Sequence, residues 1–345
     1  MRRDTDAADT GREPARGPTT VRATGPRPPG GWRRGLLATL VAAAVVVPLS
    51  AAARPEIPAP PPAVLGRVTA ASLDEVYAAN RADAAEAARM AAAHGDRHRA
   101  AADRGLAGPD RHLLAFDGRG TGLATEVVGD LARADRVAVL VPGSDTSLDT
   151  YARFRAGAVA LRARLARQAP AGTRTAVVAW LGYRTPGTVS AAVTTTGRAE
   201  QAAPRLREFV RQLHTLAGPG AHLSLLCHSY GSVVCGRAAA GLDVDDIVLV
   251  GSPGTGADSV RGLRTRARVW AARGADDWVA EVPHISTDLF GTTVGFGTDP
   301  VSPAFGARVF AAGPGGHSAY FTPGSVSLAN LTRIVLGETS EVTRE

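Results

Sequence analysis

Seven short apolar runs, beginning near residue 112 and separated by helical stripes, constrain the fold of this chain more than any other feature. They are Leu113–Phe116, Arg136–Val141, Thr175–Leu181, His222–Cys227, Asp246–Val250, Arg268–Ala272 and Ala307–Ala311. Several lack strict alternation of apolar and polar residues, as expected for strands covered on both faces. Between them, Leu148, Tyr151, Phe154, Ala158, Leu161 and Leu165 form a stripe at three- and four-residue spacing, and Leu206, Phe209, Leu213 and Leu216 form another. Alternating strands and helices predict an α/β domain over residues 109–340, a mostly parallel central sheet flanked by helices.

What precedes this domain reads as an address and a spacer. Residues 1–34 hold 8 Arg against 4 acids, and residues 35–53 carry no charge. Arg33 and Arg34 flank an apolar run, and Ser50, Ala51, Ala52 and Ala53 follow Pro48 as small residues suited to signal peptidase. Residues 1–53 are therefore expected to be a polar n-region plus a cleaved signal or a retained anchor, with 35–53 just long enough to span a bilayer. Arg33-Arg34-Gly35-Leu36-Leu37 also resembles a twin-arginine signal. Either route puts the bulk of the chain outside the cytoplasm. Residues 54–71, rich in proline, predict an extended linker. Residues 72–108, dominated by Ala, Arg and Glu, predict a helix or helical hairpin. His94 and His98 sit four apart there and read as a solvated helix face.

The net charge of +7 is concentrated in the leader: residues beyond 53 hold 31 Arg against 28 acids. A nearly balanced folded part without a basic stripe gives no nucleic-acid footprint. All 39 basic residues are arginine, a bias that fits a GC-rich genome better than a function. No clustered Cys/His spacing suggests a metal. Cys227 lies at a strand exit and Cys235 two helical turns on, so two buried, free thiols are expected.

The stretch LLCHSYGSVV, residues 225–234, ends one apolar run and starts a helix at Tyr230. A serine on that turn is pushed out above the sheet, beside a backbone N–H and a helix N-terminus. The turn needs small neighbours. Gly231 supplies one, and Cys227 stands where G-x-S-x-G has its first glycine. Ser229 is the candidate nucleophile. The order Ser, acid, His places the acid after Arg268–Ala272, where Asp277 has the better spacing from Gly274 and Asp276 is the alternative. Both also suit a helix cap. His317, in the glycine-rich loop after the last run, is the candidate base, with His284 as rival. His228 reads as structural, and His112, His214 and His222 as surface or edge positions. The backbone of Ser144, after Gly143, and that of Tyr230 are the candidate oxyanion donors, with the Asp145 side chain capping the next helix. Trp180 and Tyr183 follow the 175–181 run at the sheet's carboxyl edge, as substrate contacts or as an aromatic plug.

The stretches LLAFD, VAVLVPGSDTSL, AVVAWLGYRTP, CHSYGSVV, DDIVLVGSPGTG and GGHSAYF occur in one order between Leu73 and Gly337. Together they resemble the secreted or membrane-associated actinobacterial α/β-hydrolases long filed as a domain of unknown function, whose pattern has glycine at the position of Cys227. The resemblance implies an α/β-hydrolase fold, a triad of Ser229, Asp277 and His317, and no cofactor. The resemblance names no substrate; the triad and the leader together predict an exported serine hydrolase acting on a small-molecule or lipid ester, while a peptidase, thioesterase or acyl transferase would use the same residues. The readings from other classes are a non-catalytic α/β-hydrolase-like binding protein and an envelope-anchored scaffold with residues 54–108 as a stalk.

Overall fold

The computed structural model describes residues 57–190, 194–218, 220–282, 286–289 and 292–344. The signal or anchor expected over 1–53, with its twin-arginine motif, lies outside the described residues, as does His284. Among the described residues no helix is long and apolar enough to cross a membrane.

The helical segment is a hairpin, α1 (Leu73–His94) and α2 (Arg97–Leu106). Gly95 caps α1 at φ 90°, a left-handed conformation that costs glycine little. This break puts His94 and His98 on different helices. The hairpin packs on the sheet rather than standing apart. Ala84 and Ala87 share a core with Phe116. The Asn80 amide donates to the Leu113 carbonyl at 3.1 Å, and buried Arg99 donates to the Gly118 and Gly120 carbonyls.

The domain proper then runs β1 (His112–Asp117), β2 (Leu123–Gly129), β3 (Arg136–Val141), α3 (Tyr151–Gln168), β4 (Thr175–Leu181), α4 (Gly197–Leu216), β5 (His222–His228), α5 (Gly231–Ala238), β6 (Asp246–Val250), β7 (Arg268–Ala272), β8 (Ser286–Leu289), β9 (Thr292–Gly295), β10 (Arg308–Val309) and α6 (Val326–Leu336). Eight strands form one sheet in the order β1-β2-β4-β3-β5-β6-β7-β10. Strand β2 is antiparallel to both neighbours, and the other pairs are parallel. Strands β8 and β9 form a separate antiparallel hairpin.

Strand β2 escapes a search for apolar runs because Glu126 interrupts it. That carboxylate is fully buried and accepts from Arg111 Nε at 2.6 Å and Arg155 Nε at 2.8 Å. A buried charge is tolerated when paired in this way. The central strands follow period-two logic instead. Val137, Val139 and Val141 enter one core with α4 and α5, while Ala138 and Leu140 enter the other with α3 and α6. After β3 the chain steps to one side for β4 and returns to the other for β5. The crevice at the carboxyl ends of β3 and β5 is therefore the topological switch point, where open α/β sheets bind ligands.

The free-thiol expectation for Cys227 and Cys235 is overturned. Both are fully buried and joined as a disulfide, with Cα atoms 6.5 Å apart. Separation along the sequence misleads here, because the turn at Ser229 sends α5 back across the end of β5. The chain-entropy relation for so short a loop gives about 2.5 kcal/mol of stabilisation. The Cys227→Ala/Cys235→Ala protein is expected to lose roughly that amount in urea unfolding. An unchanged midpoint would show that the bridge contributes nothing.

Candidate active site

Ser229 sits on a strand-to-helix turn with φ 53°, a left-handed backbone that is rare for a residue with a side chain. Surrounding groups hold it there. Its N–H donates to the Val250 carbonyl at 3.0 Å. A Cβ on Gly231 would lie 2.5 Å from the Val141 carbonyl oxygen, and one on Gly143 would lie 2.6 Å from Ser229 Cβ. Both positions exclude any side chain, and this lets the loop after β3 close on the serine. The cysteine in place of the motif's first glycine is accommodated by directing its sulfur into the bridge with α5.

The loops after β7 and β10 bring Asp277 and His317 to this serine. The Ser229 hydroxyl donates to His317 Nε2 at 2.9 Å, and His317 Nδ1–H donates to Asp277 Oδ1 at 2.9 Å, in the tautomer the network requires. Asp277 also caps the 3-10 turn Trp278–Glu281, accepting from Val279 N–H at 2.9 Å, so its capping and orienting roles coincide. Burial by itself would raise the Asp277 pKa. Hydrogen bonds from His317, Tyr320 and the Val279 N–H outweigh it and hold the carboxylate below its ordinary value. Asp276 is exposed and makes no such contact with His317.

Three neighbours of this chain of groups were not assigned to it by the sequence. The Tyr320 hydroxyl donates to Asp277 Oδ2 and accepts from the Gly274 N–H at 3.0 Å. Tyr320 lies three residues after His317, so the two share one loop, but only the fold shows that the ring returns to Asp277. His228 Nε2–H donates to the His317 carbonyl at 2.6 Å, and its ring packs 4.7 Å from that of His317. Desolvation, aided by the charge of His317, lowers its pKa to about 4, so it stays neutral and supports the backbone of His317. Trp278, 52% exposed, places its ring 4.6 Å from His317 on the solvent side. In Tyr320→Phe the buried Gly274 N–H loses its acceptor, at a cost of about 1–3 kcal/mol. Thermal unfolding is expected to show that loss, with kcat falling more than KM rises. Unchanged stability and kinetics would remove Tyr320 from the account.

The backbones of Ser144 and Tyr230 border the same cavity as Ser229, and among the described residues neither N–H has a backbone acceptor. The Tyr230 side chain turns away, its hydroxyl donating to the Thr195 carbonyl at 2.7 Å. Asp145 does not cap a helix as expected. At φ 55° its carboxylate swings across to accept from the Thr188 N–H, at 3.1 Å, and from the Thr188 hydroxyl, fastening the 185–190 loop.

Trp180 and Tyr183 take the second of their two expected places, an aromatic plug beneath the loop. Neither borders the cavity. Both are buried with Phe209, with ring centroids of Trp180 and Tyr183 at 6.0 Å, and the Tyr183 hydroxyl donates to the Pro142 carbonyl at 2.7 Å. The reason is strand parity: Trp180 shares a face with Ala176 and Val178, which points at α4 and beneath the loop. Of the other histidines, His112 stacks on Tyr77, and His222 pairs with Asp246 at 2.8 Å. The His214 ring meets the Asp243 carbonyl. No group of residues suited to a metal ion occurs among the described residues.

Ser229 and His317 open into a cavity of about 1200 Å³, bordered by α3, the loops after β3 and β10, Trp278–Val282 and Phe296. Its walls are chiefly apolar, with Leu140, Phe154, Val279, Val282, Phe296 and Phe321 among them. The arrangement can deprotonate a hydroxyl, hold the resulting imidazolium against a carboxylate, and offer two N–H groups to an oxygen above the serine.

A family model described as alpha/beta hydrolase matches residues 117–287. The uncharacterized protein Rv2079 of Mycobacterium tuberculosis is 30% identical over 251 residues, covering 65% of this chain and 38% of that protein. The uncharacterized protein Mb0988c of Mycobacterium bovis is 34% identical over 143 residues, covering 39% of this chain and 53% of that protein. This chain thus spans only part of the length of these relatives. Among solved structures, an α/β serine hydrolase without a lid from Xanthomonas campestris aligns with TM-score 0.40 and 17% identity, over 68% of this chain and 95% of that one. Esterase PE8 aligns with TM-score 0.42 and 18% identity, over 62% and 97%.

Proposed function

We propose that this chain, a member of the α/β-hydrolase superfamily with its mostly parallel eight-stranded sheet, is an exported serine hydrolase that cleaves carboxylic esters through an acyl-serine intermediate. The observation that carries this reading is the hydrogen-bonded series Ser229–His317–Asp277 at the floor of a large, mainly apolar cavity.

In the first half-reaction Ser229 Oγ adds to the ester carbonyl carbon while its proton passes to His317 Nε2. Asp277 stabilises the imidazolium and keeps the ring in register. The carbonyl oxygen, now carrying the negative charge, accepts from the Ser144 and Tyr230 N–H groups. Collapse re-forms the carbonyl and breaks the bond to the alkoxy oxygen, which takes the proton from His317 and leaves as the alcohol. In the second half-reaction water loses a proton to His317 and attacks the acyl carbon. The carboxylic acid departs and Ser229 regains its proton. No step requires a cofactor or a metal.

Export is supported by the leader's basic flank and uncharged run, and by the buried disulfide, since such bonds persist mainly in oxidising compartments. Residues 35–53 are proposed to carry the chain to the membrane, and they serve as an anchor if retained.

The ester assignment over amide is tested with p-nitrophenyl acyl esters of rising chain length and matching acyl p-nitroanilides. Turnover of the esters is expected, with kcat/KM rising from acetate to octanoate as the chain fills apolar walls. Cleavage of the anilides with no turnover of the esters would make the protein a peptidase using the same groups.

A further inference from the structure

We propose that Arg153 makes this cavity selective for esters carrying a second, anionic group, a carboxylate or a phosphate, in addition to the acyl chain. The inference rests on the serine-hydrolase reading and adds a substrate class to it.

Arg153 lies in the first turn of α3 and borders the cavity with Phe154 and Gly157. Two residues of fixed charge line that space, Asp145 and Arg153. Asp145 is occupied by the N–H and hydroxyl of Thr188. Arg153 makes no ion pair or side-chain hydrogen bond among the described residues. Its ordinary helical partner would be Asp149, four residues earlier. That carboxylate faces His98 Nδ1 at 3.6 Å and Arg99 at 3.9 Å instead. The positive charge therefore borders the cavity without a counter-ion among the described residues. It borders the same cavity as the reacting groups Ser229 and His317.

Arg153 is exposed at the edge of the cavity, and a planar guanidinium there matches a carboxylate or phosphate through two parallel N–H···O bonds. The surrounding wall offers such a molecule aliphatic and aromatic surface. The volume of about 1200 Å³ exceeds the roughly 300–1,000 Å³ of common small-ligand pockets, so a chain and a charged group fit together. A neutral ester fills the apolar surface but leaves the guanidinium to water.

The test compares matched ester pairs on wild type, Arg153→Gln and Arg153→Lys. One pair is p-nitrophenyl octanoate and mono-p-nitrophenyl suberate, which puts a carboxylate on the acyl side. The other is 1-oleoylglycerol and 1-oleoyl-lysophosphatidate, which puts a phosphate on the alcohol side. Wild type is expected to prefer the anionic member of at least one pair by about tenfold or more in kcat/KM. Arg153→Gln should bring that ratio close to one, and Arg153→Lys should retain part of it. The pair that responds identifies the source of the charge. No preference in either pair, or a preference that survives Arg153→Gln, overturns the proposal while leaving the hydrolase reading intact. Calorimetry with dodecyl phosphate, dodecanoate and dodecanol on the Ser229→Ala protein gives a readout independent of turnover. Tighter binding of the two anions, lost in Ser229→Ala/Arg153→Gln, with none of the four esters cleaved by wild type, would retain the anion site and sink the hydrolase reading. Equal binding of all three dodecyl compounds would overturn the anion site.

Discussion

Ser229→Ala and His317→Ala are each expected to lower kcat on a short-chain aryl ester by on the order of 10⁴–10⁶-fold, and the double variant to be hardly worse than either single one. The non-additivity follows from the geometry. In the proposed mechanism one proton moves from Ser229 Oγ to His317 Nε2, which lie 2.9 Å apart, so removing either end removes the whole transfer. Asp277→Asn should cost about 10⁴-fold or somewhat less, because the imidazole still reaches the serine but is held in the wrong tautomer. Asp276→Asn should be mild, since that side chain points to solvent. Steady-state kinetics on folded proteins, verified by circular dichroism, check all of these. Additive losses in the double variant would mean that Ser229 and His317 do not share a proton path.

The second large effect is expected at Gly231, where the fold leaves no room. An added Cβ meets the backbone oxygens of Val141 at 2.5 Å and Pro142 at 2.7 Å, neither of which is a flexible end that can swing aside. Accommodating alanine requires the start of α5 to move off the loop after β3. That movement separates the Tyr230 N–H from the Ser144 N–H. Losing the use of one oxyanion donor costs about 10²–10³-fold in kcat, and the overpacking about 1–3 kcal/mol of stability. Gly231→Ala is therefore expected to lose activity far beyond what its stability loss explains. Gly197→Ala is the control: a Cβ there meets nothing within 4 Å, and alanine favours the helix. Equal behaviour of the two variants would show that the close approach at Gly231 carries no function.

How much of this was legible in the sequence depended on whether a residue's role is set locally or by the return of a distant loop. Six of the sheet's strands coincide with apolar runs to within a residue at either end, because burial on both faces leaves a composition signal that needs no partner to be read. Strand β2 left none, since its central residue is a charge neutralised by arginines 15 positions earlier and 29 later. The last run shrank to Arg308–Val309, an edge strand with one neighbour. At the site, Ser229, Asp277 and His317 could be picked out because each lies in the segment that follows a strand at the same edge of the sheet. His228 reads as structural from its place beside the serine, but the partners of His228 and Tyr320 lie in other loops whose paths no local pattern records. For Trp180 and Tyr183 the sequence leaves substrate contact and aromatic plug open, and strand parity with Ala176 and Val178 favours the plug. The cysteine pair is hidden for a different reason: spacing along a strand and a helix suggests separation, but the elbow between them folds one onto the other.

The central claim is that Ser229 is a nucleophile activated by its setting. Treatment of the native protein with a fluorophosphonate, followed by proteolysis and mass spectrometry, tests it most directly. The account predicts one adduct, on the peptide that contains Ser229, formed in step with loss of esterase activity and absent from Ser229→Ala. An adduct on any other residue with activity lost, or full labelling of the folded Ser229→Ala protein, would contradict it.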